Sequence, residues 1–329
     1  MTKEGIRKNV IDCPLCGKKK AKFYLSRKIK SPDGKNVVFN LFKCCFCSLF
    51  FIYPKPSNEV LKTYYLENYY SYEAKIKSSS FGDSPLSKYV LHKYYGYKHI
   101  EIKNAAISHK FLAFFLKTLF FNIPSYVKDG RILDIGCGSG DYLYKLNKIG
   151  WQIYGLDINR DACSFARDSV GADVYCGNIF DASYPDNFFN VVTMWHTLEH
   201  IDDPLNVLIE CKRIMKNDGQ LFIGVPNTDS LEFSLLKEKW MHLDMPRHLF
   251  DFQPKNLEIL LEKAGFEIRK IKYPLYGSHG FLVSLDNSLR GIGLKLSSNK
   301  IFKILAKLLY LPIIVFKKGG CIELYAKHK

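Results

Sequence analysis

Asp134-Ile135-Gly136-Cys137-Gly138-Ser139-Gly140 is the stretch whose reading decides the fold. The apolar run Arg131–Ile135 leads into it as a β-strand, and a helical pattern begins just after it. Glycines are needed there because a ligand lying against the carboxyl end of a strand must approach bare backbone. A dinucleotide fingerprint would place a third Gly or Ala at 141, where this chain has Asp. A carboxylate at that helix N-terminus would repel a pyrophosphate, so the loop suits an adenosine-bearing ligand with no phosphate at this point. Asp157 ends the next strand, 21 residues past Gly136, and is placed to accept from ribose hydroxyls.

Working outward, Gln152–Leu156, Val174–Cys176, Phe189–Met194, Gln220–Val225, Phe266–Lys272 and Cys321–Ala326 also have the composition of strands, with helical patterns between most of them. Gly150, Gly171, Gly219 and Gly265 punctuate the helix ends, and Asn159 and Asp203-Pro204 mark helix starts. Such alternation builds a parallel sheet covered on both faces. The expectation is an α/β chain in three parts: a cysteine-bounded module at 1–56, a helical linker or lid at 57–128, and an α/β domain at 129–329 with a helical insertion at 277–318.

The run DIGCGSG, with Gly155-Leu156-Asp157-Ile158-Asn159 and Gly177-Asn178 at the next two strand ends, resembles the class I S-adenosylmethionine-dependent methyltransferases. The resemblance implies a Rossmann-like, seven-stranded, mostly parallel sheet whose last strand is antiparallel. It also implies a cofactor site in which Gly136, Gly138 and Gly140 address the methionine side, Asp157 the ribose, and Asn178 and Ile179 the adenine, with Asp134 and Ile158 also among the cofactor-binding residues. Trp195 and His196 are expected to flank the methionine moiety.

Met194-Trp195-His196-Thr197-Leu198-Glu199-His200-Ile201-Asp202-Asp203-Pro204 follows the fourth strand of that pattern, at the sheet edge where substrate should meet cofactor. It is similar to the LEHxxDP run of a subgroup that includes ubiquinone-type O-methyltransferases and sugar methyltransferases. Trp240 to Phe250 resembles that subgroup's LDxPRHL loop after strand five. In-line displacement at a sulfonium carbon needs an aligned nucleophile and, for a hydroxyl, a proton acceptor. His200 is the first candidate base and His248 the second, with Glu199 as orienter; the competing role for Glu199 and His200 is to cap and pack the next helix. An acid-Pro-Pro-aromatic run and a nucleophilic Cys are both missing after strand four, which argues against exocyclic-amine and cytosine-C5 methylation.

Cys13, Cys16, Cys44 and Cys47 form two C-x2-C knuckles around a hairpin whose turn is Ser31-Pro32-Asp33-Gly34. Four thiolates with no open position make a structural zinc site, which contributes on the order of 10 kcal/mol of folding energy to such a small module. Cys45 breaks the spacer and is left out of the ligand set. The order of knuckles, YPKP and a tyrosine-rich stretch resembles the zinc-ribbon module of deoxysugar C-methyltransferases and related glycan-cluster enzymes. That resemblance makes Tyr69 and Tyr70 candidates to touch substrate. The Glu-His pair those enzymes carry in their C-terminal part is not found, which ranks O- ahead of C-methylation.

The net charge of +16 is segregated: +14 over residues 1–130, −8 over 131–268 and +10 over 269–329. An acidic middle between basic ends suggests an enzyme core dressed with parts that meet something anionic. The N-terminus shows no apolar signal region, so a reducing, cytoplasmic setting is expected for the ten Cys. Lys300, Lys303 and Lys307 recur beside Ile301, Phe302, Ile304, Leu305, Leu308 and Leu309, a basic amphipathic pattern over 300–316 that suits either peripheral contact with a membrane surface or a helix packed on the sheet or in a dimer contact with solvated lysines. The leading reading is transfer of a methyl group to a sugar, nucleotide-sugar or lipid-linked glycan, rather than to nucleic acid. The alternatives are an RNA methyltransferase that grips phosphates through its ribbon and basic ends, and a binding module without turnover.

Overall fold

The computed structural model describes residues 10–31, 34–65, 83–102, 112–114, 122–289 and 295–329. Twelve strands are found among them. Four lie near the N-terminus: β1 (Ile11–Asp12), β2 (Lys19–Lys30), β3 (Asn36–Cys44) and β4 (Phe50–Ile52). The glycine-loop region supplies β5 (Arg131–Ile135), β6 (Gln152–Asp157), β7 (Asp173–Cys176), β8 (Phe189–Trp195) and β9 (Met215–Pro226). The last three are β10 (Phe250–Asp251), β11 (Phe266–Lys272) and β12 (Cys321–His328). The α-helices used below are α1 (Asp141–Lys148), α2 (Arg160–Phe165), α3 (Pro204–Ile214), α4 (Pro254–Lys263), α5 (Gly277–Ser288) and α6 (Lys300–Val315).

Seven strands form one sheet in the order β11-β12-β9-β8-β5-β6-β7, with β8-β5, β5-β6 and β6-β7 parallel. This is the Rossmann-like α/β arrangement, with each crossover starting from a strand's carboxyl end. By contact density the chain divides into two compact units. One gathers Met1–Leu66, His196–Leu205 and Gly224–Leu324; the other gathers Glu67–Trp195, Asn206–Ile223 and Tyr325–Lys329.

In the second unit, β5, β6 and β8 are mostly buried along their length, as strands covered on both faces must be. Leu143 and Leu146 of α1 bury the helix's inner face beside Ile132, Ile153 and Val191. Trp151 adds a polar anchor: its Nε1 donates to the buried Tyr97 hydroxyl at 2.8 Å, which donates in turn to the Pro124 carbonyl at 2.9 Å. Each buried donor therefore has a partner, the condition for placing Trp and Tyr in a core.

In the first unit, β2 and β3 form the hairpin, paired from Ala21↔Cys44 to Lys30↔Asn36. The hairpin belongs to a five-stranded sheet in the order β1-β2-β3-β4-β10. Its edge strand β10 comes from far along the sequence and pairs antiparallel with β4, Phe250 opposite Phe51 and Asp251 opposite Phe50. Phe39, Leu41, Phe50 and Ile52 pack with Phe233, Trp240, Leu243 and Met245 in one buried cluster. Glu232, fully buried, is satisfied by Trp240 Nε1 at 3.2 Å, Gly320 N at 3.1 Å and the Tyr310 hydroxyl. Helices α5 and α6 lie within the 277–318 segment. No helix among the described residues is long and apolar enough to cross a membrane.

Candidate functional site

The glycine loop belongs to the second unit. Gly136, Gly138 and Gly140 all have positive φ, at 75°, 51° and 81°, a region that other residues enter only with strain. At Gly140 a Cβ would also stand 3.2 Å from Ala166 Cβ. The carboxylate of Asp157 holds the loop in this shape: it accepts from Gly138 N at 2.8 Å and from Asn159 N at 2.9 Å. Burial pushes its pKa upward, against the two amides that favour the charged form. Each carboxylate oxygen accepts one of these bonds and keeps capacity for another. Ile158, the residue just past β6, is 66% exposed.

Asp134 is placed differently from the other candidates. Its carboxyl is buried and accepts from Thr193 Oγ1 at 2.6 Å, and burial raises its pKa to about 7. That bond links the ends of β5 and β8. The Asn178 side chain is engaged locally, accepting from the amides of Phe180 and Asp181 and donating to the Asp181 carboxylate. Ile179 is buried, and Trp195 stands edge-on to Tyr142 with ring centroids 5.6 Å apart. Backbone, a bare glycine loop and a two-oxygen acceptor at the end of β6 fit the adenosine and methionine parts of S-adenosylmethionine.

The other candidates cluster in the first unit. Glu199 is completely buried in a single 3₁₀ turn, Leu198–His200, where it makes no cap to α3. Its Oε1 lies 3.4 Å from His196 Nδ1, an ion-pair distance, and neither carboxylate oxygen has a hydrogen-bond partner among the described residues. Burial would raise its pKa, but His196, His248 and His200 outweigh that and hold it near about 2, so it carries a charge. His196 itself has φ +53°, a strained position for a side chain with a Cβ.

His200 Nδ1 lies 3.1 Å from the Arg247 carbonyl and 2.9 Å from the Tyr65 hydroxyl. A carbonyl can only accept, so Nδ1 carries the proton and Nε2 keeps its lone pair. Burial, with help from His248, lowers the pKa of His200 to about 4. His248 stacks edge-on against it, centroids 4.6 Å apart, and its Nδ1 is 3.7 Å from Asp251 Oδ1. That gap exceeds a hydrogen bond but is close enough for charge pairing. Burial alone would lower the pKa of His248; Asp251, Glu199 and Asp244 together raise it. His242, stacked parallel to His196 at 6.1 Å, is held neutral by burial.

One ligating atom each from Glu199, His200 and His248 falls within 4.8 Å of the others, so the trio has the donors for moving a proton or for holding a divalent cation. Sequence reasoning missed Asp251, Tyr65 and His242. Asp251 stands one turn after His248, a signal available in His-Leu-Phe-Asp; the tyrosine candidates Tyr69 and Tyr70 lie outside the described residues.

The four knuckle thiols form a second cluster, with Sγ–Sγ distances of 3.6 Å (Cys13–Cys47) and 3.7 Å (Cys16–Cys44). Tetrahedral zinc with Zn–S near 2.3 Å requires about 3.8 Å between sulfurs, so the donor set fits zinc. Cys45 is exposed and outside it.

A family model described as a methyltransferase domain matches residues 105–271. The chain belongs to this family. It is a class I S-adenosylmethionine-dependent methyltransferase by fold and by family. The methyltransferase is 27% identical over 154 residues to the ubiquinone biosynthesis O-methyltransferase of Thiobacillus denitrificans, which is 43% of this chain and 66% of the relative. It is 28% identical over 158 residues to that of Xanthomonas oryzae pv. oryzae, 44% of this chain and 66% of the relative. The chain thus spans just under two thirds of the length of these relatives. Among solved structures, a SAM-dependent methyltransferase from Aquifex aeolicus superposes with a TM-score of 0.40 at 18% identity, covering 61% of this chain and 84% of that one.

Proposed function

We propose that this methyltransferase modifies a hydroxyl oxygen of a sugar, nucleotide-sugar or lipid-linked glycan. The observation that carries an oxygen acceptor is the His248–Asp251 pair beside ionised Glu199: a buried histidine surrounded by carboxylates accepts a proton and keeps it. S-adenosylmethionine, when bound, supplies a methyl group on a positively charged sulfur. Asp157 and the glycine loop would hold its ribose and methionine parts. The charge balance ranks His248 ahead of His200 as the base. His200, neutral and pinned through Nδ1, then orients the acceptor through Nε2, and Glu199 offsets the charge that His248 gains. The O-methyltransferase names of the relatives support the acceptor atom, and the ribbon's resemblance to that of sugar-modifying enzymes supports the acceptor class.

The test is a panel of hydroxyl acceptors (nucleotide-sugars, lipid-linked glycans, catechols) and structured RNA, with labelled cofactor. Label in a sugar hydroxyl that disappears in His248→Gln is the expected result. Label confined to RNA or to a catechol would overturn the acceptor class.

A further inference from the structure

Helix α6 docks on its unit by a narrow stripe. Only Ala306 and Tyr310 are buried along its sixteen residues, and Tyr310 is fixed by its hydroxyl, which donates to Glu232. Gly277 makes room for that hydroxyl, since a Cβ there would come within 2.5 Å of it. At roughly 100° per residue, Ile301, Leu305, Leu308, Pro312 and Val315 fall within about 40° of the direction opposite Tyr310. The outward face is therefore apolar: Ile301 is 66% exposed, Leu309 71%, and Val315 and Phe316 both 75%. The lysines stand apart from that face. Lys300, Lys303 and Lys307 line one flank, within about 80° of the docked stripe.

We propose that α6 is a membrane-surface anchor that lies in the plane of an anionic bilayer leaflet. An apolar outer face with cations set back on the flank, toward the protein body, is the arrangement an interfacial helix needs: hydrocarbon below, headgroups at the height of the ammonium groups. The charge selects lipid over a second copy of the chain. From 295 to 322 there are six lysines (295, 300, 303, 307, 317, 318) and no acidic residue. Lys318 pairs with Asp229, while Lys300, Lys303 and Lys307 form no ion pair among the described residues. A twin helix would bring the same sign against them.

Sedimentation of the full chain with vesicles of neutral lipid, alone or with about one third phosphatidylglycerol, decides it. Binding to the anionic vesicles is expected at low salt, falling as salt shortens the screening length. Each lysine at such a surface contributes about fivefold, so Lys300→Gln, Lys303→Gln and Lys307→Gln together should weaken partitioning ~100-fold. Leu305→Glu with Leu308→Glu, both at exposed positions, should abolish it while leaving the melting temperature unchanged. Wild-type protein that ignores anionic vesicles, or glutamate variants that bind as well as wild type, would overturn the proposal. So would a dimer, seen by analytical ultracentrifugation, that the glutamate variants dissociate while wild type leaves vesicles unbound.

Discussion

Replacing Asp157 by Ala removes the acceptor for two amides at once, Gly138 N and Asn159 N. Hydrogen bonds to a charged partner contribute about 1.5–3 kcal/mol each, and the Gly138 amide is left buried without a substitute. Losing both costs about 3–5 kcal/mol of folding stability once the relief of a buried carboxylate is set against it, which for a chain of this size is a drop of roughly 4–7 °C in melting temperature. If the same oxygens also take ribose hydroxyls, the variant loses a second, separable quantity: about 2–3 kcal/mol of cofactor binding, or 30- to 150-fold in Kd. Asp157→Asn separates the two effects, because its amide oxygen can still accept from one backbone N–H. Calorimetric titration of S-adenosylmethionine at a temperature where each variant is folded gives the second quantity directly. A lowered melting temperature with unchanged affinity would confine Asp157 to bracing the loop and refute the cofactor placement.

Four further outcomes are expected. Metal analysis of the purified chain should return near one zinc per molecule, and cobalt substitution should show thiolate charge-transfer absorption that disappears in Cys44→Ser. Asp251→Asn should lower the pKa of His248, move the acid limb of the rate profile to lower pH and reduce kcat; an unmoved acid limb would remove His248 from the proton path. Asp134, with a folded pKa of about 7 against an unfolded value near 3.9, binds more protons when folded, so stability falls as pH rises from about 4 to 7. Asp134→Asn should therefore melt at a higher temperature than wild type at pH 8 and lose that advantage at pH 5. Turnover should survive a chelator that leaves the thiolate zinc in place; loss restored by a divalent cation would reassign Glu199, His200 and His248 from proton transfer to metal binding.

The parts legible in the sequence were those written in local pattern. Arg131–Ile135 and Phe266–Lys272 were readable to the residue, because apolar runs bounded by turn signals are local, and the glycine loop and Cys knuckles were readable because their spacing carries the chemistry. What could not be read depends on partners distant in sequence. β10 is two residues long and exists only because β4 pairs with it, 200 residues away. The order proposed for His200 and His248 as bases turns on a carbonyl at Arg247 and a carboxylate at Asp251, groups whose direction no spacing reveals. The lysines of α6 have the period of a charged face, yet which side of the helix docks was settled by Tyr310 and Glu232.

The pairing of β4 with β10 ties the thiolate knuckles to the histidine loop by more than proximity. Ile52 N donates to the Leu249 carbonyl at 3.1 Å, and Leu249 N donates to the Glu199 carbonyl at 2.9 Å, so two backbone bonds connect the ribbon's fourth strand to the buried glutamate. A truncation beginning at residue 57 would therefore expose a sheet edge, strip the covering from Phe250 and let Glu199 and His248 drift. The ribbon is thus not cargo that recombination could swap between unrelated catalytic domains. Its inheritance is bound to that of the histidine loop, because the backbone that carries Glu199 is held in part by the strand that follows the knuckles.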